Sequence, residues 1–444
     1  MNKEFHKKQN FFSFSDIDSE RKDRIMKFTS TEATPAPHVP PGVLRLTGAA
    51  KEDIPMYRIQ TMNKISPVGL NRFPSELYEV GDAVQDPQGI LVRSAKLLDL
   101  EFNPSLLAIA RAGVGVNNIP LDRCAAAGIP VFSTPGANAN AVKELVICAM
   151  LMGSRDIPGA IRWVREQAAS GVDVSTVVEK GKSAFIGPEL YKKTLGIIGL
   201  GAIGSIVANT AISLGMDVYG YDPFLSVDTA LRLDRHVHVV KDINDLYKRS
   251  DYITMHIHYT EKTAHMIDAS AIAAMKRGVR VINLARGEIV DDEAMLTALD
   301  TGMVAAYITD FPNNCLLTAP HVIAMPHLGA STPESEQNCA AMAVDTLRDY
   351  LESGNIRSSV NLPEMTMDRS GVQRLCVLHK NVPGMLANIT SLFGRDGVNV
   401  ENLSNKSRGD YAYTMVDLGS KVGDNVIEDV RRTANVIRVR SLEW

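Results

Sequence analysis

From residue 57 onward, short and almost continuous apolar runs alternate with longer stretches whose apolar residues recur every three or four positions. The runs GILVRSA, LLAIARAG and IPVFST are too short for helices and too evenly apolar for strands with one wet face, so they predict buried strands of a parallel sheet. A first α/β unit thus spans 57–136. The stretch TPGANANAVKELVICAMLMGSRDI reads as a long buried helix, after which KTLGIIGLGAIG opens a second unit with further strands at MDVYGYD, YITMHIH, RVINLA, MVAAYIT and HVIAMPH. Ser331 and Glu334 stand in capping-box spacing, with Pro333 suited to a first turn, and predict a helix that Gly354 ends. That helix is expected to pack back on the first unit. SSVNLPEMTMDRSG then reads as a linker, and 372–444 reads strand, helix, strand, strand, helix, strand, a small α+β domain of ferredoxin-like order. Residues 1–56 are polar and contain TEATPAPHVPPG, whose prolines predict an extended, disordered tail to which no chemistry is assigned.

Composition adds limits. A chain of 444 residues has room for about three domains. With 45% hydrophobic and 22% charged residues and a net charge of -4, it lacks a basic excess, so nucleic acid is not expected as a partner. Cys124, Cys148, Cys315, Cys339 and Cys376 are scattered without CxxC spacing. They indicate neither a disulfide framework nor a metal site and fit a reducing, cytoplasmic setting. No apolar run approaches the roughly 20 residues of a membrane span, and the first residues lack the apolar core of a signal peptide. No membrane partner is expected.

The candidate chemistry begins in TLGIIGLGAIGSIVANTAISLGMDVYGYDP, where a short strand runs into Gly199, Gly201 and Gly204, then a helix opened by Ala202 and Ile203, then a strand ending at Asp222. Gly199 permits the tight turn, Gly201 lets backbone approach a pyrophosphate, Gly204 lets helix pack on strand, and the helix N-terminus attracts phosphate. Such a turn alone often serves packing; the following acid makes dinucleotide binding the stronger reading. Asp222 can accept both ribose hydroxyls and would repel a 2'-phosphate, so NAD is favoured over NADP. VINLARGEIVDDEAM puts Arg286 at a strand exit, where a guanidinium could fork onto a carboxylate and an adjacent carbonyl, or simply bridge loops. MPHLGAST puts His327 at another strand exit, and oxidation of an alcohol needs a base for the hydroxyl proton. His256 and His258 are read as structural.

These residues carry a resemblance. GLGAIG, INLARGEIVD and PHLGAST are similar, in order and spacing, to the three signature segments of the D-isomer-specific 2-hydroxyacid dehydrogenases, and LVRSA and ARAGVGVNNI resemble parts of their substrate domain. The chain most resembles members that oxidise 3-phosphoglycerate and carry a C-terminal ACT domain. The resemblance implies two Rossmann-like doubly wound parallel-sheet domains, one of residues 57–136 with 326–362 and one of 137–325, followed by a ferredoxin-like ACT domain at 372–444. It implies that Val114, Gly115, Val116 and Asn117 hold the substrate carboxylate, that Arg93 and Arg111 meet the phosphate, that Asp310 contacts the nicotinamide amide, and that the protein is a homodimer or homotetramer. In the family a glutamate pairs with the histidine; here Asn314 or Cys315 takes its place, and Asn314 is expected to orient His327 through its carbonyl oxygen. His379, Asn381 and Asn399 fall where related domains bind L-serine, although turn asparagines also commonly satisfy backbone. The expected activity is NAD-dependent oxidation of 3-phosphoglycerate. The alternatives are a dehydrogenase of another small D-2-hydroxy acid and an NAD-sensing binding protein of reduced catalysis.

Overall fold

The computed structural model describes residues 56–444. The tail expected at 1–56 lies outside them, Met56 apart. Among the described residues the backbone forms three sheets. The first has the order β2-β1-β3-β4-β5 and is parallel throughout, with β1 Tyr57–Met62, β2 Tyr78–Gly81, β3 Gly89–Val92, β4 Ala108–Arg111 and β5 Val131–Phe132. All four residues of β3 are buried, as its continuous apolar run requires of a strand covered on both faces. The polar alternation of YRIQTM concealed β1, which buries only Ile59 although it is paired on both sides.

The second sheet is also parallel, with β6 Thr194–Ile198, β7 Asp217–Tyr221, β8 Val237–Val240, β9 Tyr252–Met255, β10 Val279–Asn283, β11 Val304–Thr309 and β12 Val322–Ala324 in the order β12-β11-β10-β9-β6-β7-β8. Chain order runs outward from β6 in one direction and from β9 in the other. The gap between these two is the switch point of an open α/β sheet, where strand exits leave a crevice for ligands. The long helix α1 (Ala139–Arg155) packs Val142, Val146, Ala149 and Met150 into this sheet's core. Two further helices, α2 (Ile157–Ala169) and α3 (Val174–Gly181), bury no residue at all.

Helix α5 (Pro333–Ser353) covers the first sheet, packing Ala340, Ala343, Val344 and Leu347 against Ile59, Leu91 and Ala110; α4 (Ala202–Ser213) lies on the second. The N-cap of α5 is Thr332, whose hydroxyl accepts from Ser335 N at 3.1 Å, and not Ser331. Pro333 accounts for the one-residue difference, because its fixed φ favours the first helical position directly after the cap. Gly354 ends the helix at φ +75, as its lack of Cβ allows.

The third sheet is antiparallel, with β13 Gln373–Lys380, β14 Val400–Arg408, β15 Tyr411–Leu418 and β16 Val436–Glu443 in the order β14-β15-β13-β16, the ferredoxin-like arrangement. Helices α6 (Met385–Arg395) and α7 (Asp424–Arg432) cover one face. The other face does not hang from a linker. Cys376, Leu378, Tyr413, Met415 and Leu442 join the same apolar core as α5 and the first sheet, and the expected linker is itself buried at Leu362 and Met365. Buried side chains of this sheet also satisfy carbonyls at the C-terminal end of α5: Arg440 donates to Tyr350 and Leu351, Arg374 to Ser353, and Tyr413 to Gly354. Of these, the Tyr350 carbonyl also accepts from Gly354 N at the helix end, while the last carbonyls of a helix otherwise lack a partner within it.

Candidate functional site

The crevice at β6 is built from the glycine turn. Gly199 stands at φ +91, and a Cβ there would lie 2.6 Å from the His256 carbonyl oxygen. A Cβ on Gly204 would lie 1.9 Å from the Gly199 oxygen, so α4 can approach β6 only with glycine there. Gly201 differs: its Cβ would meet nothing within 4 Å. Ala202 and Ile203 start α4 directly after it. Beyond β7, Asp222 is fixed by backbone donors, with Oδ2 accepting from Leu200 N and Oδ1 from Phe224 N, each at 2.9 Å. Each oxygen keeps a further lone pair for another donor.

Arginines gather where β3, β4 and β10 end. Arg93 follows β3, Arg111 ends β4, and Arg111 Nε donates to the Arg93 carbonyl at 3.1 Å. A Cβ on Gly113 would lie 2.3 Å from Arg111 Nη1, and one on Gly115 would lie 2.8 Å from Arg286 Nη2. Both guanidiniums therefore press on the 113–117 loop. Burial lowers the pKa of Arg111, and the charges of Arg286 and Arg93 lower it further. Arg93 pairs with Glu336, but among the described residues neither Arg111 nor Arg286 has a carboxylate within ion-pair distance. The backbone N–H groups of Val114, Gly115 and Val116 likewise donate to no acceptor among the described residues. Crowded cations beside open amides favour an anion.

Arg286 reaches this position by donating to the Ala285 carbonyl at 2.6 Å and lying 5.7 Å from the Phe311 ring centre. The same ring lies 4.6 Å from that of His327, which is exposed. Phe311 thus touches both. It stands inside ITDFPNNC, where no spacing or polarity in the sequence marks an aromatic ring as the neighbour of both. Asp310 beside it is 1% exposed, accepts from Gly329 N at 3.3 Å through Oδ2, and has no partner for Oδ1. Burial raises the Asp310 pKa, while the nearby charge of His327 lowers it, so Asp310 is an acid electrostatically linked to that histidine. The structure does not join Asn314 to His327. Asn313 caps a short helix, Asn314–Leu317, through Leu316 N at 3.1 Å, and that turn leaves Asn314 exposed with no bond to the imidazole among the described residues. Beyond Arg286, a cavity of about 590 Å³ is lined by Glu288, Asp291, Asp292 and Glu293, the wrong charge for an anionic substrate.

Comparison with known proteins agrees with this layout. Residues 147–329 match the family described as D-isomer specific 2-hydroxyacid dehydrogenase, NAD binding domain. A D-3-phosphoglycerate dehydrogenase of Haemophilus influenzae is 31% identical over 379 residues, covering 82% of this chain and 88% of that protein. The chain belongs to the D-isomer-specific 2-hydroxyacid dehydrogenase family. Another relative of the same name, from Synechocystis, is 35% identical over 71% of this chain, of which the chain spans only 56% of the length. The chain likewise spans 55% and 60% of the relatives of that name from Methanocaldococcus jannaschii and Bacillus subtilis. Among solved structures, NAD+-bound 3-phosphoglycerate dehydrogenase of Entamoeba histolytica aligns with TM-score 0.53 at 25% identity, over 69% of this chain and 99% of that one.

The second sheet is thus the family's NAD-binding domain, and its residues fit the cofactor. The open space over Gly201 would admit a pyrophosphate, Asp222 would accept ribose hydroxyls, and the unpartnered Asp310 Oδ1 would take an amide N–H. In the third sheet, His379 is buried with Nδ1 bonded to the Lys380 carbonyl and Nε2 to Thr414 Oγ1. Asn381 and Asn399 are exposed, and their amides bond Gly409 O and Glu401 Oε1. Among the described residues no helix is long and apolar enough to cross a membrane.

Proposed function

We propose that the protein oxidises D-3-phosphoglycerate to 3-phosphohydroxypyruvate with NAD, the first step of L-serine biosynthesis. The observation that carries this reading is the pair Arg111 and Arg286, crowded against a loop of open amides without carboxylate partners, inside a family of 2-hydroxyacid dehydrogenases. A substrate anionic at both ends relieves that crowding. Val114, Gly115, Val116 and Asn117 receive the carboxylate, Arg93 and Arg111 the phosphate. Arg286 forks onto the carboxylate and the carbon-bound oxygen, stabilising negative charge as the alcohol becomes a ketone. His327 takes the hydroxyl proton, its ring held against Phe311 and its positive charge balanced by Asp310. When bound at the glycine turn, NAD supplies the hydride acceptor.

Two further parts belong to this reading. Helices α2 and α3 bury nothing and expose Ile161, Val164 and Val178, an apolar surface suited to a homodimer or homotetramer. The third sheet, of ACT type, would bind L-serine through Asn381 and Asn399, with His379 holding the strand rather than the ligand. The cytoplasm suits its five free thiols. The test of the catalytic assignment is Arg286→Lys. A point-charge ammonium cannot reproduce the forked contact, so kcat/KM should fall about 100-fold or more at unchanged NAD affinity. Near-normal turnover would remove Arg286 from the mechanism.

A further inference from the structure

Arg93 and Glu336 are 243 positions apart, yet Arg93 Nη2 donates to Glu336 Oε1 at 2.6 Å. Arg93 stands on the rim where Arg111 and Arg286 also gather. Glu336 stands in the first turn of α5, with its backbone N–H bonded to the Thr332 carbonyl. The backbone of Glu336 is thereby held beside the rim, while its carboxylate can still rotate. Its side chain and that of Arg93 are 44% and 41% exposed, so the pair does little for the fold and is open to a competing anion. Of the three rim arginines only this one carries a carboxylate partner among the described residues. Elsewhere on the rim charge is left for a ligand; at Arg93 it is already answered.

We propose that Glu336 is a built-in competitor for the distal phosphate of the substrate and sets how tightly the phosphate is held. The inference rests on the proposed function, in which Arg93 meets that phosphate. A guanidinium has five N–H donors, and a single one of Arg93 is bonded to Glu336. An incoming phosphate dianion either displaces the carboxylate or binds beside it, and in both cases the neighbouring negative charge opposes it. Substrate and product both carry the phosphate, so Glu336 weakens both complexes and favours release over retention. A purely supporting acid that steadied the Arg93 fork would have the opposite sign, since its loss would loosen phosphate binding.

The test is steady-state kinetics of the full-length protein with D-3-phosphoglycerate and D-glycerate, which differ only in the phosphate, for wild type, Arg93→Ala, Glu336→Gln and the double variant. Glu336→Gln should lower the KM for D-3-phosphoglycerate relative to D-glycerate by roughly three- to tenfold, less at high salt, and tighten inhibition by inorganic phosphate in parallel. Both effects should vanish in the double variant. If Arg93→Ala leaves the KM for the phosphorylated substrate unchanged, the phosphate role of Arg93 fails and this inference with it. If Arg93→Ala raises that KM while Glu336→Gln leaves the ratio unchanged or shifts it the other way, the competitor role alone is overturned.

Discussion

His256 directly follows β9 and is mostly covered, and burial pushes its pKa down to about 4. An unfolded histidine titrates near 6.5, so between these values the unfolded chain binds the extra proton. The stability contribution is therefore present above about pH 6.5 and lost as pH falls towards about 4. Chemical denaturation should show the wild type losing roughly 1–3 kcal/mol across that window, and His256→Gln losing less. An identical slope in both proteins would mean that the imidazole is not shielded. At this scale the sequence was legible in position: Gly199, Asp222, Arg286 and His327 all stand at or just beyond strands that the apolar runs predict. It was not legible where the partner lies far along the chain. Nothing in ITDFPNNC says that Asn313 will start a helical turn and leave Asn314 exposed, or that Phe311 will lie against both Arg286 and His327.

The glycine turn between β6 and α4 separates folding from binding within four residues. Gly204→Ala would drive a methyl to 1.9 Å from the Gly199 oxygen and should lower the melting temperature by several degrees, with a loss of roughly 1–3 kcal/mol. Gly201→Ala meets no protein atom within 4 Å and should leave the ligand-free melting temperature nearly unchanged while weakening NAD binding at least tenfold. Calorimetric titration with NAD alongside thermal melts separates the two. Equal loss of stability in both variants would contradict the assignment of Gly201 to the cofactor. Most elements were readable because apolar runs of strand length and apolar positions of helical period differ plainly. Two elements escape that contrast: β1 is paired on both sides yet its sequence is polar, and the stretch whose composition predicts a linker buries Leu362 and Met365 in the core shared with the third sheet.

At the scale of the whole molecule, the third sheet is clamped to the C-terminal end of α5 by Arg440, Arg374 and Tyr413, while the N-terminal end of the same helix follows His327 and carries Glu336. One helix thus links the third sheet to the rim that bears Arg93. The sequence showed the ferredoxin-like order but not this docking, because long-range contacts between arginines and carbonyls leave no periodic trace. Removing residues 372–444 would strip a face from the shared core, so point variants are the cleaner probe of regulation. L-serine should bind the full-length protein and inhibit it, and Asn381→Ala or Asn399→Ala should relieve inhibition by tenfold or more in serine concentration; calorimetry detecting no serine binding would end that proposal. The proposed reaction is tested by following NADH formation from NAD with a panel of D-3-phosphoglycerate, D-glycerate and D-lactate. D-3-phosphoglycerate should have the highest kcat/KM of the three, and NADP should replace NAD poorly. Failure to form NADH from any of them, or a preference for an unphosphorylated acid, would contradict it.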